Sequence, residues 1–156
     1  MKPNIDISDS NRQAVADILN TLLADEYVLF TKTRNAHWNI VGSNFIALHK
    51  LFEGQYEALD ETIDSVAERV RTLGHYSLGT LKDFLRLTHL SEGEALSVEK
   101  DAIKALLQDH ESVIANIRKD IITINDKYKD VGTADFITGI MEGHEKMAWM
   151  LRSHLS

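Results

Sequence analysis

Apolar side chains recur every three to four positions through most of this chain, and that period predicts helices rather than strands. Val15, Ile18, Leu19, Leu22, Leu23, Tyr27 and Phe30 mark the first, with Ser8 to Ser10 as N-cap candidates and an end near Asn39. Val41-Gly42-Ser43 reads as a turn, with Gly42 free to take positive φ and Ser43 placed to cap the next helix. That second helix starts at Asn44, carries Phe45, Leu48, Phe52, Tyr56, Leu59, Ile63 and Val66, and closes at Leu73-Gly74 behind Arg69 and Arg71. So short a turn makes the two helices antiparallel neighbours and brings His37 towards the start of the second.

From Gly74 to about Ser97 the pattern weakens. Thr80-Leu81-Lys82-Asp83 has the form of a capping box opening a short helix to about Leu87, and Ser91-Glu92-Gly93-Glu94 reads as loop. A third long helix is expected from about Ser97 to Lys129, a break at Val131-Gly132-Thr133, and a fourth from about Thr133 to Ser153. The long connection between the second and third helices suggests a crossover from one end of the molecule to the other. The fold class is therefore all-α, a four-helix bundle with a short extra helix in its crossover, forming one domain over 1–156.

Composition narrows the chemistry. The 156 residues suffice for a hydrophobic core, 44% of them are hydrophobic, and eight glycines against one proline leave little room for loops. With no cysteine, disulfides, thiolate metal sites and thiol catalysis are excluded, so any metal chemistry rests on histidine and carboxylates. The N-terminal segment has no apolar stretch of signal-peptide type and no window is apolar enough to span a bilayer, so a cytoplasmic protein with no membrane partner is expected. A formal net charge of −7 opposes phosphate backbones and attracts cations.

The sharpest chemical signal lies between His37 and Glu68. At about 100° per residue, with His49 as zero, Glu53 falls at about 40°, Asp64 at about 60° and Glu68 at about 100°, all on one helix face. A rise of about 1.5 Å per residue nevertheless separates the His49/Glu53 pair from the Asp64/Glu68 pair by roughly 22 Å, too far to share an ion. Either the helix carries two half-sites or a second chain completes each one. An antiparallel copy crossing near Ala58–Leu59 would set His49 and Glu53 opposite Glu68 and Asp64 of its partner, twice per two-fold dimer. One such i, i+4 pair is most often a solvated helix face; the combined pattern with His37-Trp38 upstream points to a metal. This donor set suits Fe, Mn or Zn better than Ca.

Signatures of nucleotide binding, of serine hydrolases and of zinc metalloproteases are missing, as is the pair of Glu-x-x-His motifs of an intrachain di-iron bundle. His75, His89, His110, His144 and His154 read as surface or interface residues, with His110 on a solvated face between Asp109 and Glu111. The methionines of the last helix and Trp149 read as core or interface.

His37-Trp38-Asn39, Gly42, Asn44-Phe45, Leu48-His49, Glu53, Asp64-x-x-Ala67-Glu68-Arg69 and Leu73-Gly74 together resemble the signature of the Dps family, the mini-ferritins, and the helix pattern matches along nearly the whole chain. The resemblance implies a ferritin-like bundle assembled as a hollow dodecamer. It implies a ferroxidase centre at each two-fold interface, with His37, His49 and Glu53 from one chain, Asp64 and Glu68 from the other, and Trp38 alongside. Members oxidise Fe(II), preferably with hydrogen peroxide though oxygen also serves, and store ferric mineral, which suppresses hydroxyl-radical formation. Glu53 stands where many relatives have aspartate, a longer arm that could shift the second iron. Asp126, Asp130 and Asp135 surround the last turn, where the resemblance places three-fold pores through which iron enters. DNA-binding members use basic tails; here Lys2 is the one basic residue among the first eleven, Asp6 and Asp9 offset it, and the chain stops just after the last helix, so DNA binding is not expected. An iron-storing ferroxidase is thus the first expectation, a nucleoid-binding structural protein the alternative, and a non-catalytic helical assembly module the third.

Overall fold

In the computed structural model, which describes residues 3–95 and 97–155, the chain folds into α1 (Asp9–Asn39), α2 (Phe45–Thr72), a short α3 (Leu81–Leu87), α4 (Glu99–Ile122) and α5 (Val131–Ser153). Lys2 lies outside the described residues. The Ser8 hydroxyl caps α1 by accepting the Asn11 N–H at 3.2 Å. At the far end of α2 the expected glycine stop is realised: Gly74, at φ 88°, donates to Arg71 O while His75 donates to Val70 O, pairing the last carbonyls. Arg12 adds its guanidinium there, donating to Leu73 O at 3.1 Å.

The α1–α2 turn is built differently from its sequence reading. Ser43 does not cap α2; the N-cap position is Asn44, and its side chain makes no capping bond to the helix. Glu99 from the start of α4 supplies the acceptor instead, taking the Asn44 backbone N–H at 2.7 Å and its side-chain amide at 3.2 Å. A carboxylate at a helix N-terminus also meets the positive end of the dipole, so it outcompetes a neutral hydroxyl. Gly42, at φ 146°, is required twice over, by its backbone angle and because a Cβ would collide with the Glu99 carboxylate.

Val41 donates to Ser97 O and pairs with Val98, so α4 starts beside the α1–α2 turn, at the opposite end from the close of α2. That is the expected crossover. Thr80 and Asp83 form its capping box, and buried Asp25 of α1 pins it by accepting from the Thr88 hydroxyl and the His89 N–H, both at 2.7 Å. Phe84 of α3 stacks on Tyr27 at 4.5 Å. The four long helices close over one apolar cluster in which Leu19, Phe52, Leu59, Leu106, Ile117 and Ile137 are almost wholly buried. Each such side chain contributes on the order of 1.5–3 kcal/mol of transfer free energy. Among the described residues no helix is long and apolar enough to cross a membrane.

The last turn needs a correction. After Ile122 the helix widens into a π-helical segment, Thr123–Lys127, and the break falls at Tyr128 to Asp130, where Lys129 takes φ 60°. Val131-Gly132-Thr133 is the first turn of α5, because Asp130 caps it, accepting from the Thr133 N–H at 2.9 Å and from its hydroxyl at 2.5 Å. Asp130 also meets Arg69 of α2 at 3.4 Å and is 2% exposed, so within one chain its carboxylate is committed to the cap and to Arg69. Asp126 and Asp135 remain exposed. Asp130→Ala should lower stability by about 1–2 kcal/mol through loss of a cap, read as a shift in the urea midpoint, whereas Asp126→Ala and Asp135→Ala should leave it almost unchanged. Equal effects at all three positions would contradict this assignment.

Candidate metal centre

His37 sits in the last turn of α1 and His49 in the first turns of α2, and the short turn between them brings the two rings together. His37 Nδ1 lies 2.8 Å from the carbonyl of His49, and His49 Nδ1 lies 2.8 Å from the carbonyl of His37. A carbonyl only accepts, so both Nδ1 atoms carry the hydrogen and both Nε2 atoms keep a bare lone pair. That arrangement orients a histidine towards a metal, with the ring nitrogen away from the ion tied to an oxygen. The rings stack at 3.7 Å and 19°, with the edge of Tyr56 against His37 at 5.2 Å and Phe45 against His49 at 5.1 Å.

Glu53, one turn beyond His49, is half-buried and its carboxylate pairs with Lys50 at 2.6 Å. The hydrogen bond from Lys50 holds the Glu53 carboxyl below the usual carboxylate range, desolvation opposes it, and the charge of Lys50 adds to the lowering. An ionised carboxylate therefore stands one turn along α2 from His49. Trp38 is 64% exposed, and the Arg34 guanidinium lies over its ring at 4.8 Å and near the rings of Phe30 and Tyr56 at 5.3 and 5.6 Å. Arg34, Lys50 and Tyr56 were missed in the sequence. Tyr56, seven residues after His49, and Lys50, three before Glu53, were detectable by helical spacing alone.

Asp64 and Glu68 lie exposed on the same helix, roughly 22 Å along its axis from the histidine end. Among the described residues no hydrogen bond or ion pair engages either, and no three histidines or carboxylates converge tightly enough to hold a metal within one chain. The structure thus brings His37 and His49 together, places Glu53 one turn along α2 and paired with Lys50, and leaves Asp64 and Glu68 apart from them.

Two of the remaining histidines overturn their sequence reading. His110 and His144 are not on a solvated or interfacial surface but at 0% and 1% exposure in the bundle core. Asp109 and Glu111 obscured the fact that 110 falls in register with Leu106, Val113 and Ile117 on the buried face of α4. Asp109 itself turns to Lys32 at 2.5 Å. Trp149 is exposed, whereas Met141 is core.

The ferritin-like domain family matches residues 16–156 of this chain. An uncharacterized low temperature-induced protein of Nostoc is 48% identical over 97% of this chain and 86% of its own length. DNA protection during starvation protein 2 of Bacillus anthracis is 34% identical over 94% of this chain and 99% of its own. The crystal structure of a Dps protein from Vibrio cholerae, described as one of the ferritin-like diiron-carboxylate proteins, superposes with a TM-score of 0.92 at 29% identity, covering 100% of this chain and 98% of that one.

Lys50 competes with any cation for Glu53. Lys50→Met should tighten Co(II) binding by about twofold, the scale of an exposed ion pair, and Glu53→Gln should weaken it. Weaker binding in Lys50→Met, measured by calorimetric titration, would show that Lys50 positions the carboxylate instead.

Proposed function

Because the chain belongs to the Dps family of ferritin-like proteins, we propose that it is a ferroxidase that binds Fe(II), oxidises it and stores the ferric product inside a hollow assembly of its own copies. The observation that carries this reading is the reciprocal bonding of His37 and His49, which ties up both Nδ1 atoms and leaves both Nε2 atoms as donors to a metal, with Glu53 one turn along α2. Asp64 and Glu68, without partners in their own chain, complete the donor set when a second α2 crosses antiparallel near Ala58–Leu59. Nitrogen donors suit the incoming Fe(II), and anionic oxygens favour Fe(III) as each iron gives up one electron. Hydrogen peroxide is the proposed oxidant: two irons supply the two electrons that break its O–O bond, and the resulting hydroxides pass to the ferric product. Removing Fe(II) and peroxide together would protect a cytoplasmic host against oxidative damage. Twelve subunits are the proposed assembly, and Asp126 and Asp135, both exposed near the α4–α5 turn, are the acids proposed to draw iron inwards.

The shared site is tested by complementation. One variant carries His37→Ala and His49→Ala, the other Asp64→Ala and Glu68→Ala; each alone should oxidise Fe(II) slowly. In a mixed two-fold dimer one site joins the intact histidines of the second variant to the intact carboxylates of the first. After dissociation and equal random reassembly about a quarter of all sites should recover. Verified co-assembly without renewed oxidation, followed by stopped-flow absorbance, would reject the shared site.

A second reading follows from the relatives named for DNA protection during starvation: a structural protein of the nucleoid. The net charge of −7 per chain argues against direct phosphate contact. No retardation of plasmid DNA is expected at neutral pH and physiological salt. A stable shift without added divalent metal would favour the nucleoid reading.

A further inference from the structure

Glu26 of α1, His144 of α5 and His110 of α4 form a hydrogen-bonded chain through the middle of the bundle, and none exposes more than 1% of its surface. His144 Nε2 stands 2.7 Å from Glu26 Oε1, and His144 Nδ1 stands 2.8 Å from His110 Nδ1. At the two ends, Glu26 Oε2 and His110 Nε2 are buried without a partner. Core residues one turn away on the same helices, Leu22, Leu106, Val113 and Ala148, are themselves buried and apolar. Three titratable groups in such surroundings are costly unless their charges cancel.

A metal does not account for the cluster, since no three donors converge and His144 has both nitrogens engaged within the chain. Protons do. With three protons shared among the groups both hydrogen bonds are made and the net charge is zero: a carboxylate faces an imidazolium, which donates to a neutral His110. Removing one proton leaves a buried negative charge, and adding one leaves a buried positive charge. Among the described residues no ion pair joins these three groups to a further charge. Lys32 pairs with Asp109 and Arg118 with Glu145 near the surface, and the groove whose lining includes His144 also carries Gln55, Lys50 and Glu61 of α2 and Lys146 of α5, of which Lys50 pairs with Glu53.

We propose that the Glu26–His144–His110 chain is a proton-filled clamp whose refusal of a further proton makes the packing of α1, α4 and α5 sensitive to acid. Burial, and then the neighbouring His144, push His110 well below the ordinary histidine value. The sign follows from that direction. Above pH ~6.5 the unfolded chain holds fewer protons on these groups than the three the folded cluster keeps, and below it the unfolded chain takes up one that folded His110 refuses, so the contribution is greatest at that value. It declines as pH falls below it, until the folded His110 itself titrates. The folded-to-unfolded ratio should drop up to about tenfold per pH unit per chain across that window.

The assembled wild-type protein and His110→Gln are compared by urea unfolding between pH 7.5 and 5. The expected result is a shallower acid slope in the variant by about one proton per chain; parallel slopes would overturn the proposal. Should His110→Gln fail to assemble, hydrogen–deuterium exchange on the wild type, corrected for intrinsic rates, replaces it. Peptides around Glu26, His110 and His144 should then open preferentially at pH 5 relative to 6.5, and uniform or unchanged protection would count against the clamp. Equilibrium dialysis with Zn(II) on the Asp64→Ala, Glu68→Ala variant adds a discriminating arm. One tightly held ion per chain that His110→Gln abolishes would make this a metal site and overturn the proton reading.

Discussion

Two reciprocal hydrogen bonds, each from an imidazole Nδ1–H to the backbone carbonyl of the other histidine, join the end of α1 to the start of α2. They exist only because the turn between the helices is short and held in one shape. Gly42 admits the Glu99 carboxylate at close range, Glu99 then caps α2, and Val41 pairs with Val98, so the start of α4 is fixed by the same few residues. The bundle's long crossover is thus anchored at the turn that orients His37 and His49. Fold and site share a single constraint: loosening the turn would free the rings to rotate and would release the α4 N-terminus as well.

A second constraint is distance. An α-helix holds residues fifteen apart roughly 22 Å from one another whatever their side chains do, and α2 carries its histidine end and its acidic end on one face at that spacing. The protein cannot close this gap within one chain, so the acids either serve as a solvated face or meet a copy of the chain. Their lack of side-chain partners among the described residues, on the same helix as Glu53 held ionised by Lys50, favours the second arrangement. Self-assembly then becomes part of the chemistry, because an isolated subunit would hold only half of the donors.

How much of this was legible in the sequence depended on whether the determining contact was local. The four long helices, the glycine stop at Leu73-Gly74 and the Thr80 capping box follow from i, i+3 and i, i+4 spacing, and the structure places them where those periods put them. Ser43 was misread because the cap on α2 comes from Glu99, fifty-five residues away. The break before α5 was set two residues late because Gly132 resembles a breaker, whereas Asp130, with its bonds to Thr133, ends the turn and starts the helix. Asp130 looked like one of three equivalent surface acids until its tertiary contact with Arg69 removed it from the set. The ligand face of α2 was readable because it is periodic; whether a second chain covers it is not a property of one chain's spacing.

The two histidine pairs show why residue type alone does not decide function. Both bring imidazoles within bonding reach across two helices, yet their nitrogens face different partners. In His37 and His49 each Nδ1 is occupied by a carbonyl, so each neutral ring keeps its Nε2 lone pair for a cation. In His110 and His144 the two Nδ1 atoms face each other and the far nitrogen of His144 faces Glu26, so the shared particle between them is a proton. A backbone acceptor holds the ring's orientation and the tautomer of its neutral form, because a carbonyl does not titrate. A side-chain acceptor makes the bond depend on the protonation of both partners. The first pair is therefore suited to presenting ligands to metal, and the second to registering pH within the core.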